Sequence, residues 1–230
     1  RGPRLSKMKP HVCPTITAVS RKEYLEQLNL LTKFAPRIHI DISDGTLAPR
    51  ELLGLGSMRW PQKTTTDIHV MSRHPHAELA IAAELKPHLV IVHAEAETDL
   101  KAVAVALHDK GIKAGLALLP ETEVGPLSDL ISYYFDHVLI FSGNLGYQGG
   151  SLADLSLLDK VQTLKQLKAS IEIGWDGGIN DQNISIIAES GVSVINVGGY
   201  ISRSKSPKAA YAKLRTALRS VNNHAPSPFS

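Results

Sequence analysis

Residues 37–45, which read Arg-Ile-His-Ile-Asp-Ile-Ser-Asp-Gly, carry the strongest chemical pattern in the chain. Side chains alternate between the two faces of an extended strand, so the isoleucines share one face while His39, Asp41 and Ser43 share the other. Buried polar groups need partners, and a core strand therefore rarely places an imidazole, a carboxylate and a hydroxyl in one row. A half-exposed edge strand is the simpler alternative for this stretch alone. The pattern favours a strand whose polar face performs chemistry close to the Asp-Gly turn that ends it.

Polar side chains also occur near the ends of other predicted strands. They are Thr15 in the first strand, His69 in the third, His93 and Glu95 at the end of the fourth, and Asp176 in the seventh, and the apolar Met71 ends the third strand. The candidate metal ligands among all these residues are His39, Asp41, His69 and Asp176. Two imidazoles and two carboxylates suit zinc, iron, manganese or cobalt. A single strand histidine is more often a core residue, but four ligand-type residues at strand ends predict a site for one divalent metal ion.

Short β-rich segments alternate with longer segments of helical apolar spacing. The predicted strands are residues 11–17, 37–43, 65–71, 88–94, 113–119, 137–142, 170–177 and 194–199. The predicted helices are residues 20–35, 75–85, 98–110, 154–168, 181–190 and 206–219, with weaker, short ones at 54–60 and 124–134. Eight units that begin about every 25 residues predict a single-domain (β/α)8 TIM barrel rather than an open doubly wound sheet. Such barrels carry their chemistry at the carboxyl ends of the strands, where the polar residues fall.

Three glycine-containing segments lie at or just after the ends of the last three predicted strands. They are residues 143–150, 176–180 and 198–199. Backbone amides exposed by glycine bind phosphate dianions, and the loops after strands seven and eight are the usual phosphate-binding place in these barrels. Glycine also serves ordinary turns, so a single pair would be weak evidence. We expect the phosphate-binding residues to be Gly146, Gly149, Gly177, Gly178, Gly198 and Gly199.

The charge distribution argues against nucleic acid as a partner. The 230 residues include 25 Lys and Arg and 22 Asp and Glu, for a formal net charge of +3. Four basic residues lie in the first nine positions, which contain no acid, and the other 21 are balanced by the 22 acids. A nucleic-acid-binding face would need a basic patch on the folded domain. We expect disordered tails at residues 1–9 and 222–230 around one domain at residues 10–221.

Cysteine content and hydropathy bear on the compartment. The single cysteine, Cys13, excludes an internal disulfide and suits a reducing environment. No apolar run reaches membrane-spanning length, and the first residues lack the apolar stretch of a signal peptide. These features predict a cytoplasmic protein without a membrane partner.

Several motifs occur in the order and spacing of one known family. They are His39-x-Asp-x-x-Asp-Gly45 with Pro49 downstream, Asp67-x-His-x-Met71, His93-x-Glu95, Gly-Leu-Ala-Leu-Leu-Pro at 115–120 and Asp-Gly-Gly-Ile at 176–179. On these motifs, and over nearly the whole predicted domain, the sequence resembles the ribulose-phosphate 3-epimerase family. Members of that family are metal-dependent TIM barrels that invert C3 of a ketopentose 5-phosphate.

The resemblance implies a site, a reaction and a partner. The implied metal ligands are His39, Asp41, His69 and Asp176, and the implied acid–base pair is Asp41 and Asp176. The implied substrate-binding residues are Thr15, His69, Met71 and the six glycines named above. The reaction would convert D-ribulose 5-phosphate to D-xylulose 5-phosphate through a metal-stabilised enediolate, with one carboxylate on each face of the flat intermediate. The small-molecule partner would be a sugar phosphate, and we expect a homo-oligomer.

Several positions depart from the family pattern, chiefly around the substrate. Thr15 and Gly199 stand where serine is usual, Ser43 replaces a methionine, Leu119 an asparagine and Gly174 a glutamate. Residues 144–150 read Asn-Leu-Gly-Tyr-Gln-Gly-Gly, with Gln148 in a loop that usually reads Asn-Pro-Gly-Phe-Gly-Gly-Gln. The reaction class is therefore predicted more firmly than the substrate.

Two other functions stay open on the sequence. One is 3-epimerisation of a related substrate such as a ketohexose 6-phosphate, and the other is phosphate binding by a paralogue without catalysis. The four ligand-type residues argue against a non-catalytic phosphate-binding protein, because such a protein does not need charged residues at the open end of the barrel. The related decarboxylase barrels place a lysine between strand aspartates, where this chain has Ile40 and Ile42.

Overall fold

The computed structural model describes residues 9–223, so almost all of both expected tails lies outside the described residues. The strands are β1 His11–Thr17, β2 Arg37–Ser43, β3 Thr65–Met71, β4 Leu89–His93, β5 Lys113–Leu118, β6 His137–Phe141, β7 Glu172–Asp176 and β8 Val194–Val197. Each strand is parallel to the next, and β8 pairs with β1 to close the barrel. The predicted single-domain (β/α)8 TIM barrel is confirmed.

Helices and short 3-10 turns connect the strands. The helices are α1 Arg21–Leu31, α2 His76–Leu85, α3 Leu100–Asp109, α4 Ser128–Tyr134, α5 Leu158–Leu167, α6 Ile184–Glu189, α7 Gly199–Ser202 and α8 Pro207–Asn223. The 3-10 turns are Leu55–Ser57, Gly125–Leu127 and Leu155–Leu157. None of the helices in residues 9–223 is long and apolar enough to cross a membrane.

Most predicted bounds differ from the observed ones by up to four residues, and two elements differ in kind or consequence. The expected short helix at residues 54–60 is a single 3-10 turn. Strand eight was expected to reach residue 199 but ends at Val197, because Gly198 adopts φ −91° and ψ −84° and turns the chain into α7. This early turn brings α7 to the carboxyl end of the barrel.

The two faces of the strands bury different kinds of side chain. Ile38, Ile40 and Ile42 of β2 belong to the large apolar core that also contains helix residues. Inside the barrel, on the side of β4 to β6, Leu89, Ile91, Ala117 and Leu139 form a separate apolar cluster. Most inward positions of β2, β3 and β7 are polar instead, with Met71 and Gly174 as exceptions. Most of the charged groups of the barrel interior therefore lie on these three strands.

Arg37, Asp67, His137 and Glu172, here called the lower cluster, lie toward the amino-terminal ends of the strands. Arg37 Nε donates to Asp67 Oδ2 at 2.7 Å, and Nη1 and Nη2 donate to the two Glu172 oxygens at 3.0 and 2.9 Å. His137 Nδ1 lies 2.9 Å from Glu172 Oε2. A Cβ on Gly174 would lie 2.6 Å from His137 Nε2, so the glycine at this position makes room for the ring.

Candidate active site

His39, Asp41, His69 and Asp176, here called the upper cluster, meet toward the carboxyl ends of β2, β3 and β7. The register pairs Asp41 with His69 on the adjacent strand, and His39 shares the inward side of β2 with Asp41. One ligand atom from each of the four residues lies within 4.8 Å of the others. The structure thus brings together all four residues that the sequence indicates as metal ligands.

The contacts inside the upper cluster leave His39 without a hydrogen-bond partner. His69 Nδ1 lies 3.0 Å from Asp41 Oδ1. His39 Nε2 lies 3.3 Å from Asp41 Oδ1 and 3.5 Å from Asp176 Oδ2, yet neither nitrogen of this fully buried ring forms a hydrogen bond with a described residue. An unsatisfied buried polar group costs about 1–3 kcal/mol. A cation held between Nε2 and the two carboxylates would remove that cost at Nε2, so the donor set fits a divalent metal.

The titration behaviour of the upper cluster shows a shortage of positive charge. Burial and the nearby Asp41 carboxylate raise the pKa of Asp176 to about 7. Burial also acts to raise the pKa of Asp41, but the His39 and His69 rings outweigh it and hold that pKa well below its usual value. Burial lowers the pKa of His69 to about 4, which leaves the ring neutral and able to bind a metal. Close carboxylates beside a neutral ring form an environment that attracts a cation.

A chain of hydrogen bonds fixes the far side of His69. His69 Nε2 lies 2.8 Å from His93 Nε2, and His93 Nδ1 lies 3.1 Å from Glu95 Oε2. Glu95 is itself held by the Leu119 N–H at 3.2 Å and by the hydroxyl of Thr122. Outer partners of this kind orient a ligating histidine and select its tautomer. His93 and Glu95 therefore fix the orientation of the His69 ring from the side opposite Asp41.

The mouth of the barrel contains a cavity of about 270 Å³. Asp41 and Asp176 line it together with Thr15 and Met71, and so do the six glycines that the sequence indicates. His39 and His69 are fully buried and are not among its lining residues. The substrate contact expected of His69 therefore stays a prediction.

Close backbone packing around the cavity requires glycine. Gly178 has a φ of +71°, and a Cβ there would lie 1.9 Å from the backbone nitrogen of Ala153. A Cβ on Gly199 would lie 2.7 Å from the Cα of Gly149, whose own φ is +73°. The segments after β6, β7 and β8 thus meet through bare backbone, and no larger residue fits between them.

The residues that line the cavity and escaped the sequence patterns include Thr17, Asn196 and Arg203. Thr17 Oγ1 donates to Asp41 Oδ2 at 2.7 Å, and its alternation with Thr15 along β1 was an available signal. Asn196 was recognisable as an amide within the apolar run of β8, and both polar atoms of its buried side chain lack a partner among the described residues. Arg203 gave no signal, because it follows a four-residue helix that the sequence pattern does not reveal.

Two residues at positions that depart from the family pattern, Ser43 and Gln148, form hydrogen bonds that hold the loops. Ser43 has the same parity as Asp41 but does not line the cavity, because its hydroxyl accepts a hydrogen bond from the Gly45 N–H at 3.1 Å and closes the turn after β2. Gln148 Nε2 donates to the Thr15 carbonyl at 2.7 Å. This bond ties the segment after β6 to the end of β1.

Comparison with known proteins finds relatives along nearly the whole chain. The chain is 30% identical over 224 residues to ribulose-phosphate 3-epimerase of Mycobacterium leprae (strain TN), which covers 94% of this chain and 99% of that protein. It is 29% identical over 220 residues to ribulose-phosphate 3-epimerase of Helicobacter pylori (strain ATCC 700392 / 26695), with 92% and 94% of the two chains covered.

Solved structures share the fold at lower sequence identity. The 3-keto-L-gulonate-6-phosphate decarboxylase of Vibrio cholerae superposes with a TM-score of 0.70 at 11% identity, over 93% of this chain and 99% of that one. The 3-hexulose-6-phosphate synthase of Salmonella typhimurium superposes with a TM-score of 0.67 at 16% identity, over 92% and 99% of the two chains. At these identities the likeness extends to the fold alone.

The family profile of the ribulose-phosphate 3 epimerase family matches residues 11–202, from the first residue of β1 through the end of α7. That stretch contains all eight strands, the upper cluster and the glycine segments. The chain belongs to the ribulose-phosphate 3-epimerase family.

Proposed function

We propose that the protein epimerises C3 of a ketose phosphate, converting D-ribulose 5-phosphate to D-xylulose 5-phosphate. The observation that carries this proposal is the placement of two carboxylates, Asp41 and Asp176, on separate strands at the wall of one cavity. The relatives named ribulose-phosphate 3-epimerase support the same reaction. We assign the acid–base chemistry to these two residues.

The two carboxylates divide the proton transfers by face. Removal of the C3 proton next to the ketone leaves a flat enediolate, and a proton returned to the opposite face inverts the centre. Asp41 on β2 and Asp176 on β7 reach that plane from different strands. Thr17 holds Asp41 through the hydrogen bond to Oδ2, which leaves Oδ1 on the side of His39 and His69.

The upper cluster would hold one divalent ion, zinc, iron, manganese or cobalt. The unpartnered His39 ring and the close carboxylates support this assignment. When bound, such an ion supplies positive charge that stabilises the developing oxyanion. His93 and Glu95 keep the His69 ring oriented, and the apolar cluster on the side of β4 to β6 fills the interior next to the site.

The remaining cavity residues bind the sugar phosphate. Thr15 and Met71 lie at the wall shared with the carboxylates and would contact the sugar. The amides of the glycine segments would bind the phosphate, and their crowded backbone explains why no side chain intervenes. The substrate is a free small molecule, and the near-neutral body of the chain fits neither nucleic acid nor an anionic surface.

The test is turnover by protein loaded separately with each candidate metal. The substrates are D-ribulose 5-phosphate, D-allulose 6-phosphate as a ketohexose 6-phosphate, and D-ribulose without phosphate. We expect the fastest turnover with D-ribulose 5-phosphate, with deuterium from heavy water appearing at C3 of the product. Faster turnover of the hexulose would move the assignment to the second substrate. Phosphate binding without turnover of any ketose would establish the non-catalytic alternative and refute the proposal.

A further inference from the structure

The cavity separates its charges between its two ends. Three of the side chains that line it are acidic or basic, namely those of Asp41, Asp176 and Arg203. The two acids belong to the upper cluster, whereas Arg203 lies beside Gly149 and Gly199. Among the described residues that line this cavity, Arg203 is the only cation. A phosphorylated sugar has a reacting end and an anionic end, and this cavity has a matching polarity.

The guanidinium of Arg203 lies directly against the glycine segments. A Cβ on Gly149 would be 3.2 Å from both Cζ and Nη2 of Arg203, and a Cβ on Gly199 would be 3.9 Å from Nε. Arg203 Nη2 also donates to the Gln148 carbonyl at 2.9 Å. Gln148 in turn donates to the Thr15 carbonyl, so the loop that holds the guanidinium is itself tied to the barrel.

The short helix α7 brings Arg203 to this place. The backbone N–H of Arg203 donates to the Gly199 carbonyl at 3.1 Å, so the two residues are one helical turn apart. Residues four apart lie on the same side of a helix. The sequence pattern did not predict that β8 ends at Val197. This early end lets α7 begin at Gly199 and places the Arg203 side chain next to the glycine segments.

Arg203 forms no ion pair with a carboxylate among residues 9–223, which leaves its charge available to a ligand. A guanidinium offers five N–H donors in a planar fork that matches two phosphate oxygens, and its hydrogen bonds to an anion are stronger than those of a neutral amide. The glycine amides provide neutral donors only. The carboxylates at the other end of the cavity repel a dianion, and Arg203 offsets that repulsion.

We propose that Arg203 binds the phosphate dianion and makes the cavity selective for phosphorylated sugars. This inference rests on the proposed function for the identity of the sugar. Phosphate binding itself can be measured without turnover. The proposal concerns binding, so Arg203 contributes mainly to KM and much less to kcat.

The test compares Arg203→Met and Arg203→Lys with Lys205→Met, which removes an exposed charge two residues away that does not line the cavity. Inorganic phosphate is titrated calorimetrically into each metal-loaded protein, and KM and kcat for D-ribulose 5-phosphate are measured in parallel. We expect Arg203→Met to weaken phosphate binding and raise KM by about tenfold or more, the loss of a charged hydrogen bond. Arg203→Lys should fall between the parent and Arg203→Met, and Lys205→Met should match the parent.

Equal phosphate affinity in Arg203→Met and the parent would overturn the proposal. So would an equal loss in Arg203→Met and Lys205→Met, because that result indicates a general effect of surface charge. The third possible result is that Arg203→Met binds phosphate more weakly than the parent while the parent turns over no ketose. That result would uphold the role of Arg203 and refute the proposed function instead. Thermal unfolding of each variant verifies that the comparison is made on folded protein.

Discussion

Two polar clusters lie inside the same barrel, and they differ in how their charges are balanced. In the lower cluster Arg37 contacts Asp67 at 2.7 Å and Glu172 at 2.9 Å, so each acid has a cation. The upper cluster begins two residues further along β2 and contains no arginine or lysine. The only groups in it that could carry positive charge are the two imidazoles, and the His39 ring forms no hydrogen bond with a described residue.

The two carboxylates of β7 make the difference measurable. Glu172 and Asp176 are four residues apart on one strand and point to the same interior. Burial acts to raise the pKa of Glu172, but hydrogen bonds from His137 and Arg37 outweigh it and hold that pKa well below its usual value. Burial and the Asp41 carboxylate raise the pKa of Asp176 to about 7. Glu172 is paired with a cation and contributes to the stability of the fold. Asp176 lies beside a second carboxylate, and this arrangement favours the binding of a cationic ligand.

This contrast matches the division of labour in TIM barrels, where the amino-terminal end supports stability and the carboxyl end carries chemistry. Substitutions in the upper cluster should therefore change turnover more than stability. Substitutions in the lower cluster should do the reverse. The following experiments test that division, beginning with the largest expected effect.

Asp176→Asn should lower kcat by roughly 10²–10⁴-fold, the usual contribution of a general acid or base, because an amide cannot transfer the C3 proton. The free energy of unfolding of the metal-free protein should rise at the same time, because the substitution removes a charge that burial and Asp41 disfavour. Turnover and metal content are measured on one sample, and stability by denaturant titration. Turnover near the parent rate in a metal-replete variant would show that the acid–base pair is assigned wrongly.

Arg37→Met should lower the free energy of unfolding by about 3–5 kcal/mol, because it leaves the carboxylates of Asp67 and Glu172 buried without their cation. Denaturant unfolding measures the loss, and the double variant with Glu172→Gln should recover part of it. The kcat of the folded fraction should stay close to that of the parent. A loss below about 1 kcal/mol would mean that the lower cluster does not stabilise the barrel.

Glu172→Gln should show a stability difference that depends on pH. A carboxyl whose folded pKa is lowered contributes stability that is present above its unfolded pKa, near 4.5, and is lost as the pH falls through the folded value. We expect the variant to be less stable by about 1–3 kcal/mol between pH 6 and 8, and the difference to narrow below about pH 4.5. Urea titrations of both proteins at a series of pH values measure it. A difference that widens toward acid would contradict the assignment.

Thr17→Val should have the smallest effect, about tenfold in kcat/KM, because it removes one hydrogen bond to Asp41 Oδ2 while keeping the shape of the side chain. Thr66→Val is the matched control, since Thr66 is a buried strand threonine whose hydroxyl bonds to the Thr64 carbonyl away from the cavity. That control should turn over at the parent rate. Equal rates for both variants would remove Thr17 from the site.

Strand periodicity was sufficient to predict the upper cluster. Alternation along β2 fixes His39 and Asp41 on one side, and the bounds of β1, β2 and β3 match the prediction at both ends. Parallel strands in a closed barrel bring their carboxyl ends to one mouth, so residues far apart in sequence were expected to meet there. The positions follow from local pattern and topology, which a sequence contains.

Partner choice could not be predicted in the same way. Arg37 pairs with Asp67 and Glu172, which are 30 and 135 residues away, and only the closed register selects those partners. Ser43 has the parity of a site residue, but the turn after β2 takes its hydroxyl. A helix of four residues is too short to show a helical period, and the place of Arg203 followed only from the structure.

The central claim is that the upper cluster binds a metal and the lower cluster does not. His69 and His137 allow a matched test, because both are fully buried, and each has Nδ1 at 3.0 and 2.9 Å from a carboxylate oxygen. Elemental analysis of the parent, His69→Ala and His137→Ala should find about one divalent ion per chain in the parent and in His137→Ala, and much less in His69→Ala. Equal metal in His69→Ala and the parent, or an equal loss in both variants, would contradict the account.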